Sequence, residues 1–214
     1  KIQVQSDGGL IVAIISNAIT IADAGAFSTT GALTLIKTIT VSSGTGTVSF
    51  VHGASSVVLD STYPIYRFEY INIHPATNNA EFTIGFRDGS TAYDAPKTTT
   101  VIDAYHAEND SAEGVEYGGS DDLANATGFQ SIAKNVGNDA DSSASGTLTL
   151  FNPSSTTYVK HFISRSNKME VSVSAEFVVA GYINVTAAID AVQFKFNSGN
   201  IDSGIIKLYG IKDS

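Results

Sequence analysis

The sequence predicts an all-β fold, an antiparallel β-sandwich of eight or more strands, and three observations predict it. Short apolar runs with a period of two recur from Leu33 to Ile211, the mark of strands with one face buried. Turn residues punctuate them at the close spacing of a sandwich. The chain then ends on a strongly patterned pair: Phe194 and Phe196 alternate with polar residues, as do Ile206 and Leu208, across the polar, glycine-bounded stretch Asn197–Gly204. This reads as an antiparallel hairpin whose two faces turn into one core, completing a sandwich of the jelly-roll kind. An N-terminal extended arm and one long acidic insertion are the two departures from this rhythm.

Residues 1 to 32 have a different texture from the rest. Their apolar runs, Leu10–Ile15 and Ala18–Ala22, are broken by Asn17, Asp23-Ala-Gly25 and Ser28-Thr-Thr-Gly31, and Phe27 is their one aromatic residue. So little aromatic mass cannot build an independent core. The segment is expected either to add strands to the main domain or to act as an attachment or oligomerisation arm. Leu10–Ile15 is far shorter than the roughly 20 apolar residues that span a bilayer, and it lacks the basic flank of a signal peptide, so it reads as strand. Because the chain begins at Lys1 rather than Met, it is expected to be a processed product or part of something longer.

The predicted main domain covers 33 to 214. Leu33–Val41 alternates apolar residues with threonine and ends at Ser42-Ser-Gly44-Thr-Gly46, and Val48–Val51 follows. In Ile65–Ile73, Tyr66, Phe68 and Tyr70 share one face while Ile71 and Ile73 load the other. A strand apolar on both faces belongs in the centre of a sheet. His74-Pro75 closes it, since proline cannot donate to a ladder. Phe82–Phe86 is predicted to turn Glu81, Thr83 and Arg87 outward, and Thr98–Ile102 leads to Tyr105 and His106. Thr147–Phe151 and Tyr158–Ile163 form a hairpin across Asn152-Pro-Ser-Ser155, and Met169 to Val179 gives the cleanest alternation of all.

The insertion, residues 104 to about 146, is acidic and rich in small residues. Within it, Ser120 to Lys134 is expected to form a short helix, capped by Ser120 with acids in its first turn. Loops this long tend to be functional, so any binding surface is placed here, on Tyr105, His106, Tyr117, Asp121 and Asp122. The tyrosines could stack on a sugar ring or on a neighbouring subunit. Asp139 and Asp141, beside Asn138, are a weak calcium candidate that lacks the glycine and terminal glutamate of an EF-hand loop. No other metal and no cofactor are expected.

Composition narrows the function. Twelve Lys and Arg against 21 Asp and Glu leave a net charge of −9, which argues against nucleic acid and anionic membranes as partners. There is no cysteine, which removes disulfides, thiolate metal sites and thiol nucleophiles. His52, His74, His106 and His161 stand singly, without metal-ligand spacing, and no nucleophile elbow or phosphate-binding loop is present. The pairs Asp121-Asp122 and Asp139-Ala-Asp141 read as surface acids rather than a glycosidase pair. The chain is therefore expected not to be an enzyme. Sandwich edges need protection, and burial between identical chains, as in a homotrimer, would supply it.

Several strings carry a resemblance. They are Ile39 in its Leu-Ile-Lys-Thr-Ile-Thr setting, Leu59-Asp-Ser-Thr-Tyr63, Ile71-Asn-Ile-His-Pro-Ala-Thr77, Leu150-Phe-Asn-Pro-Ser-Ser155, Tyr158-Val-Lys-His-Phe-Ile-Ser164, and Ala191 through Gly204 to Leu208-Tyr-Gly-Ile211. In these, residues 33 to 214 resemble the jelly-roll modules of tail fibres and other virion surface proteins of marine tailed bacteriophages. The resemblance implies a virion structural protein on the particle surface, a tail-fibre or appendage tip that attaches to host glycans. The alternatives are a capsid decoration protein and a secreted carbohydrate-binding module. Partners implied are other copies of the chain, other virion proteins through the N-terminal region, and host polysaccharide. The family has no agreed catalytic residues to carry over.

Overall fold

The computed structural model describes residues 2–7, 10–16, 19–23, 26–27, 33–170 and 172–212. Every regular element among them is a strand. The chain divides into two compact units, Lys1–Thr34 and Leu35–Ser214. The first is a four-stranded antiparallel sheet in sequential order, β1 (Ile2–Asp7), β2 (Leu10–Ser16), β3 (Ile19–Asp23) and β4 (Ala26–Phe27). Its strands pair with one another, so the expected extended arm is instead a small sheet.

Twelve strands build two antiparallel sheets in the rest of the chain: β5 (Leu33–Val41), β6 (Val48–Val51), β7 (Ile65–Pro75), β8 (Ala80–Arg87), β9 (Lys97–Ala107), β10 (Glu113–Tyr117), β11 (Gln130–Val136), β12 (Ala144–Phe151), β13 (Lys160–Glu170), β14 (Val173–Ile183), β15 (Ala191–Phe196) and β16 (Ile201–Ile211). The larger sheet runs β10-β9-β14-β13-β12-β7-β16-β5 and the smaller β11-β8-β15-β6. Nested pairs organise the centre: β5 lies beside β16, β6 beside β15, β7 beside β12, and β8 beside β11. The remaining strands, β9 with β10 and β13 with β14, leave this body and extend the larger sheet as a four-stranded wing.

The sheets meet through aromatic side chains. Phe194 stands 5.4 Å from Phe68, 5.7 Å from Phe82 and 6.2 Å from Phe50, centroid to centroid, in the offset geometries that aromatic pairs favour. This core contains the faces that the period of two assigned to it: Tyr66, Phe68 and Tyr70 from β7, Ile206 and Leu208 from β16, and Phe194 and Phe196 from β15. The predicted closing hairpin, however, does not form. β15 and β16 lie in different sheets, and their apolar faces meet across the interior. The connection between them is held at both ends, where Asn197 Oδ1 accepts from the Glu81 amide at 2.9 Å and the Ile201 amide donates to Thr45 O at 2.8 Å.

Four further expectations are corrected. In β7, Ile73 joins the core instead of the outer face, because Asn72, at φ 50°, inserts a bulge that resets the alternation. The run from Met169 to Val179 is two strands, turned between Glu170 and Val173, which pair directly. Thr83 is buried rather than outward-facing, since the smaller sheet's outer surface is covered there: a Cβ on neighbouring Gly85 would lie 2.6 Å from the Phe129 ring. Finally, the predicted helix from Ser120 to Lys134 is absent. Its second half is β11, which pairs with β8 and buries Ile132, Ala133 and Val136, so the acidic insertion contributes β10 and β11, one to each sheet. Tertiary pairing outweighs the helix-capping signal of Ser120 and its acids, which amounts to about 1 kcal/mol.

Candidate functional site

The wing presents a broad outer face, built in rows by strand register. Tyr117, Ile102 and Val178 lie side by side on β10, β9 and β14, and Val178 neighbours Arg165 on β13. The next row sets Val115, Ala104, Glu176 and Asn167 together, and the last joins Glu113, His106 and Ser174. Paired residues of antiparallel strands share a face. Large apolar side chains stand open on this surface, with Val115 76% and Tyr117 60% exposed, and Ile102 and Ile163 about half exposed.

Two shallow depressions mark the face. One, of about 370 Å³, is lined by Thr98, Thr100, Phe151, His161, Ile163 and Tyr182, with the His161 and Tyr182 rings 6.3 Å apart. The other, of about 490 Å³, includes His106, Glu113, Val115, Asn167, Ser174 and Glu176 in its lining.

The residues singled out in the sequence fall into three groups. Tyr117, Asp121 and Asp122 are brought together where β10 ends. The Tyr117 hydroxyl donates to Asp122 Oδ2 at 2.5 Å, and this bond to a carboxylate raises the phenol pKa. Asp121 accepts from Lys134 Nζ at 2.8 Å, an ion pair that raises the lysine pKa. His106 lies at the other end of β10, its ring 2.9 Å from Asp110 Oδ1, four residues along the ladder from Tyr117 and thus about 13 Å away. Tyr105 points to the opposite face of the ribbon from Tyr117, its hydroxyl close over Gly114. The two tyrosines therefore cannot stack on one sugar ring. Asp139 and Asp141 are both exposed, and Asp139 contributes its backbone carbonyl to the His74 ring at 3.1 Å.

What the sequence reading did not find are the residues that register supplies. Glu113 lies directly opposite His106, and His106, Asp110 and Glu113 hold ligand atoms all within 4.8 Å of one another. Tyr182 and His161 are likewise cross-strand partners on β14 and β13. Only the hairpin pairing would have revealed either set.

Beneath this face the wing interior sets buried polar groups among apolar ones, Val101, Phe162, Phe177 and Val179, that belong to the main core. Lys97 is fully buried, donating to Gly128 O at 2.6 Å, and burial pulls its pKa down to about 8. Lys160 caps the carbonyls of Val185, Thr186 and Ala187, and burial lowers its pKa as well. Asp103 is shifted the other way, its pKa raised first by burial. Lys97 and Lys160 are structural anchors that hold the loops at Gly128 and at residues 185–187, whereas Asp103 Oδ1 has no hydrogen-bond partner among the described residues. Comparison of the chain with models of protein families, with curated proteins and with solved structures finds no match.

Proposed function

We propose that the chain is a non-enzymatic structural protein of a bacteriophage particle, displayed on the surface as a fibre or appendage tip that engages host-surface glycans. The observation that carries this reading is the open outer face of the wing, where Ile102, Val115, Tyr117 and Ile163 form an exposed apolar surface on a rigid sheet. A surface of this kind marks a contact with another macromolecule. Nested strand pairs β5·β16, β6·β15, β7·β12 and β8·β11 support the jelly-roll reading, since they are the order a folded double ribbon leaves when it wraps into two sheets. The strings that resemble phage virion proteins also meet in pairs: the Ala76 amide donates to Asn200 O, and Leu150 pairs with Phe162 in the β12–β13 ladder.

The test is the composition of the purified particle. Quantitative mass spectrometry should find the chain in a copy number matching the tail appendages, and host adsorption should fall when Tyr117 is replaced by alanine. A copy number matching the head lattice would instead make the chain a capsid decoration protein. Absence from particles would overturn the viral reading and favour a secreted carbohydrate-binding module. That second reading draws on the depression at Phe151, His161 and Tyr182, where aromatic rings lie beside the Thr98 and Thr100 hydroxyls.

A further inference from the structure

We propose that His106, Asp110 and Glu113 form a binding site for a divalent transition-metal ion at the end of the β9–β10 hairpin, independent of any role in a virus particle. Three chemically different side chains converge there. His106 comes from β9, Glu113 is its direct cross-strand partner on β10, and Asp110 comes from the connecting turn. Their ligand atoms all lie within 4.8 Å of one another, with His106 Nε2 and Asp110 Oδ1 2.9 Å apart. Ligands held tetrahedrally at about 2.0–2.1 Å from zinc sit about 3.3 Å from each other. The His106–Asp110 separation is a few tenths of an ångström below that value and the others are no more than 4.8 Å, and all three side chains are exposed, so small rotamer changes suffice to bring them to it.

The backbone that carries them is fixed. The Ala107 amide donates to Ala112 O at 2.8 Å, Asp110 to Ala107 O at 3.0 Å, and Glu108 to Ser172 O at 2.8 Å, which ties the turn to the neighbouring hairpin. Preorganisation of this sort lowers the ordering cost of binding. Charge favours a cation. Among the described residues neither Asp110 nor Glu113 forms an ion pair with a lysine or arginine, and Glu108 lies two residues from His106 in a chain of net charge −9.

The donor set chooses the ion. One imidazole nitrogen with two carboxylates suits zinc and the neighbouring first-row metals, whereas calcium takes oxygen ligands throughout. Three protein ligands also leave coordination positions open. Those positions have somewhere to face, because His106 and Glu113 line the depression of about 490 Å³ that Asn167, Ser174 and Glu176 complete. Two of the three ligands thus line the cavity.

Isothermal titration of the intact, metal-stripped chain with zinc chloride tests this, with cobalt absorption as a second readout of the ligand field. The expected result is one zinc per chain, weakened at least about tenfold in His106→Ala and in Glu113→Gln, with unfolding midpoints unchanged. The double variant Asp139→Asn with Asp141→Asn, which removes more negative charge elsewhere than Glu113→Gln removes here, should bind zinc like the parent, and so should His161→Ala. Zinc binding that survives His106→Ala, that falls equally in the control variants, or that is weaker than calcium binding would overturn the proposal.

Discussion

The central body and the wing share a sheet and one apolar core, but the wing adds buried polar groups to it. Between the sheets of the body the buried side chains are aromatic and aliphatic, gathered around Phe194. On the wing the inward positions of β9 and β13 include Lys97, Thr99, Lys160, Ser164, Ser166 and Lys168, all buried. Such groups are tolerated only when hydrogen-bonded. Here they are: Ser164 and Ser166 meet the Tyr70 hydroxyl, and Thr99 donates to Gln130 Oε1 at 2.7 Å while accepting from the Leu123 amide at 2.8 Å. Apolar area stabilises both halves, since Val101, Phe162, Phe177 and Val179 carry the core into the wing, and hydrogen-bonded polar groups beside them help fix the wing's geometry. The difference teaches where a binding surface can be placed: on the half whose interior ties loops down at specific atoms.

The comparison is tested hardest by truncating one side chain in each half. Phe194→Ala removes the ring that contacts Phe50, Phe68 and Phe82 and should cost about 3–5 kcal/mol in urea unfolding. Ser166→Ala leaves the Tyr70 hydroxyl with Ser164 as its remaining side-chain partner and should cost about 1 kcal/mol. Equal losses would mean that the two halves do not differ in what holds them.

Next in size is a pH dependence that belongs to the wing. The folded pKa of Lys97, about 8, lies below its unfolded value of 10.5. Between those values the unfolded chain binds a proton that the folded chain does not, so stability rises as pH increases from about 8. At about 1.4 kcal/mol per pKa unit the upper bound is on the order of 3 kcal/mol. Lys160 shifts in the same direction. The body responds oppositely. Burial raises Tyr66 and Tyr70 from 10.0 to about 12, so the unfolded chain ionises first and stability falls above pH 10. Urea midpoints measured from pH 7 to 11 should therefore pass through a maximum near pH 10. Lys97→Met should flatten the rising limb and leave the falling one. A parent midpoint that does not change between pH 8 and 10 would remove Lys97 from this account.

A smaller effect is expected where the insertion covers the smaller sheet. Phe129 lies over Gly85, and Lys195 Nζ sits 4.2 Å from the centroid of its ring. In Gly85→Ala the new methyl must displace the ring, at a cost of about 1–3 kcal/mol. Faster hydrogen exchange should follow in residues 121–129, with β15 unaffected. If exchange is unchanged there, Phe129 does not fasten the segment.

The same contrast explains what the sequence revealed. Tyr66, Phe68 and Tyr70 announced the central strand because their inward positions are large and apolar, and Phe194 with Leu208 announced the core. Their pairing was not legible. A glycine-bounded connection between two alternating runs looks alike whether it closes a hairpin or arches between sheets, and here long-range partners decide. The inward face of β13 was hidden for another reason: Lys160, Phe162, Ser164, Ser166 and Lys168 alternate in burial but not in hydropathy. For the candidate site, His106 was visible as a lone histidine near acids. Glu113 became its partner only through the β9–β10 register, which composition does not encode.

The smallest expected effect on stability concerns the outer face. Val115 is 76% exposed on edge strand β10, so Val115→Lys should change the unfolding free energy by no more than about 0.5 kcal/mol. If this face makes the contact on which the proposed function rests, the same substitution places a charge in an apolar contact and should abolish host adsorption by particles that carry it. A lysine deep in the body would do the reverse, unfolding the chain before any contact could be measured. Normal adsorption by particles carrying Val115→Lys would move the functional surface off the wing and leave its buried polar groups as a purely architectural solution to extending the sheet.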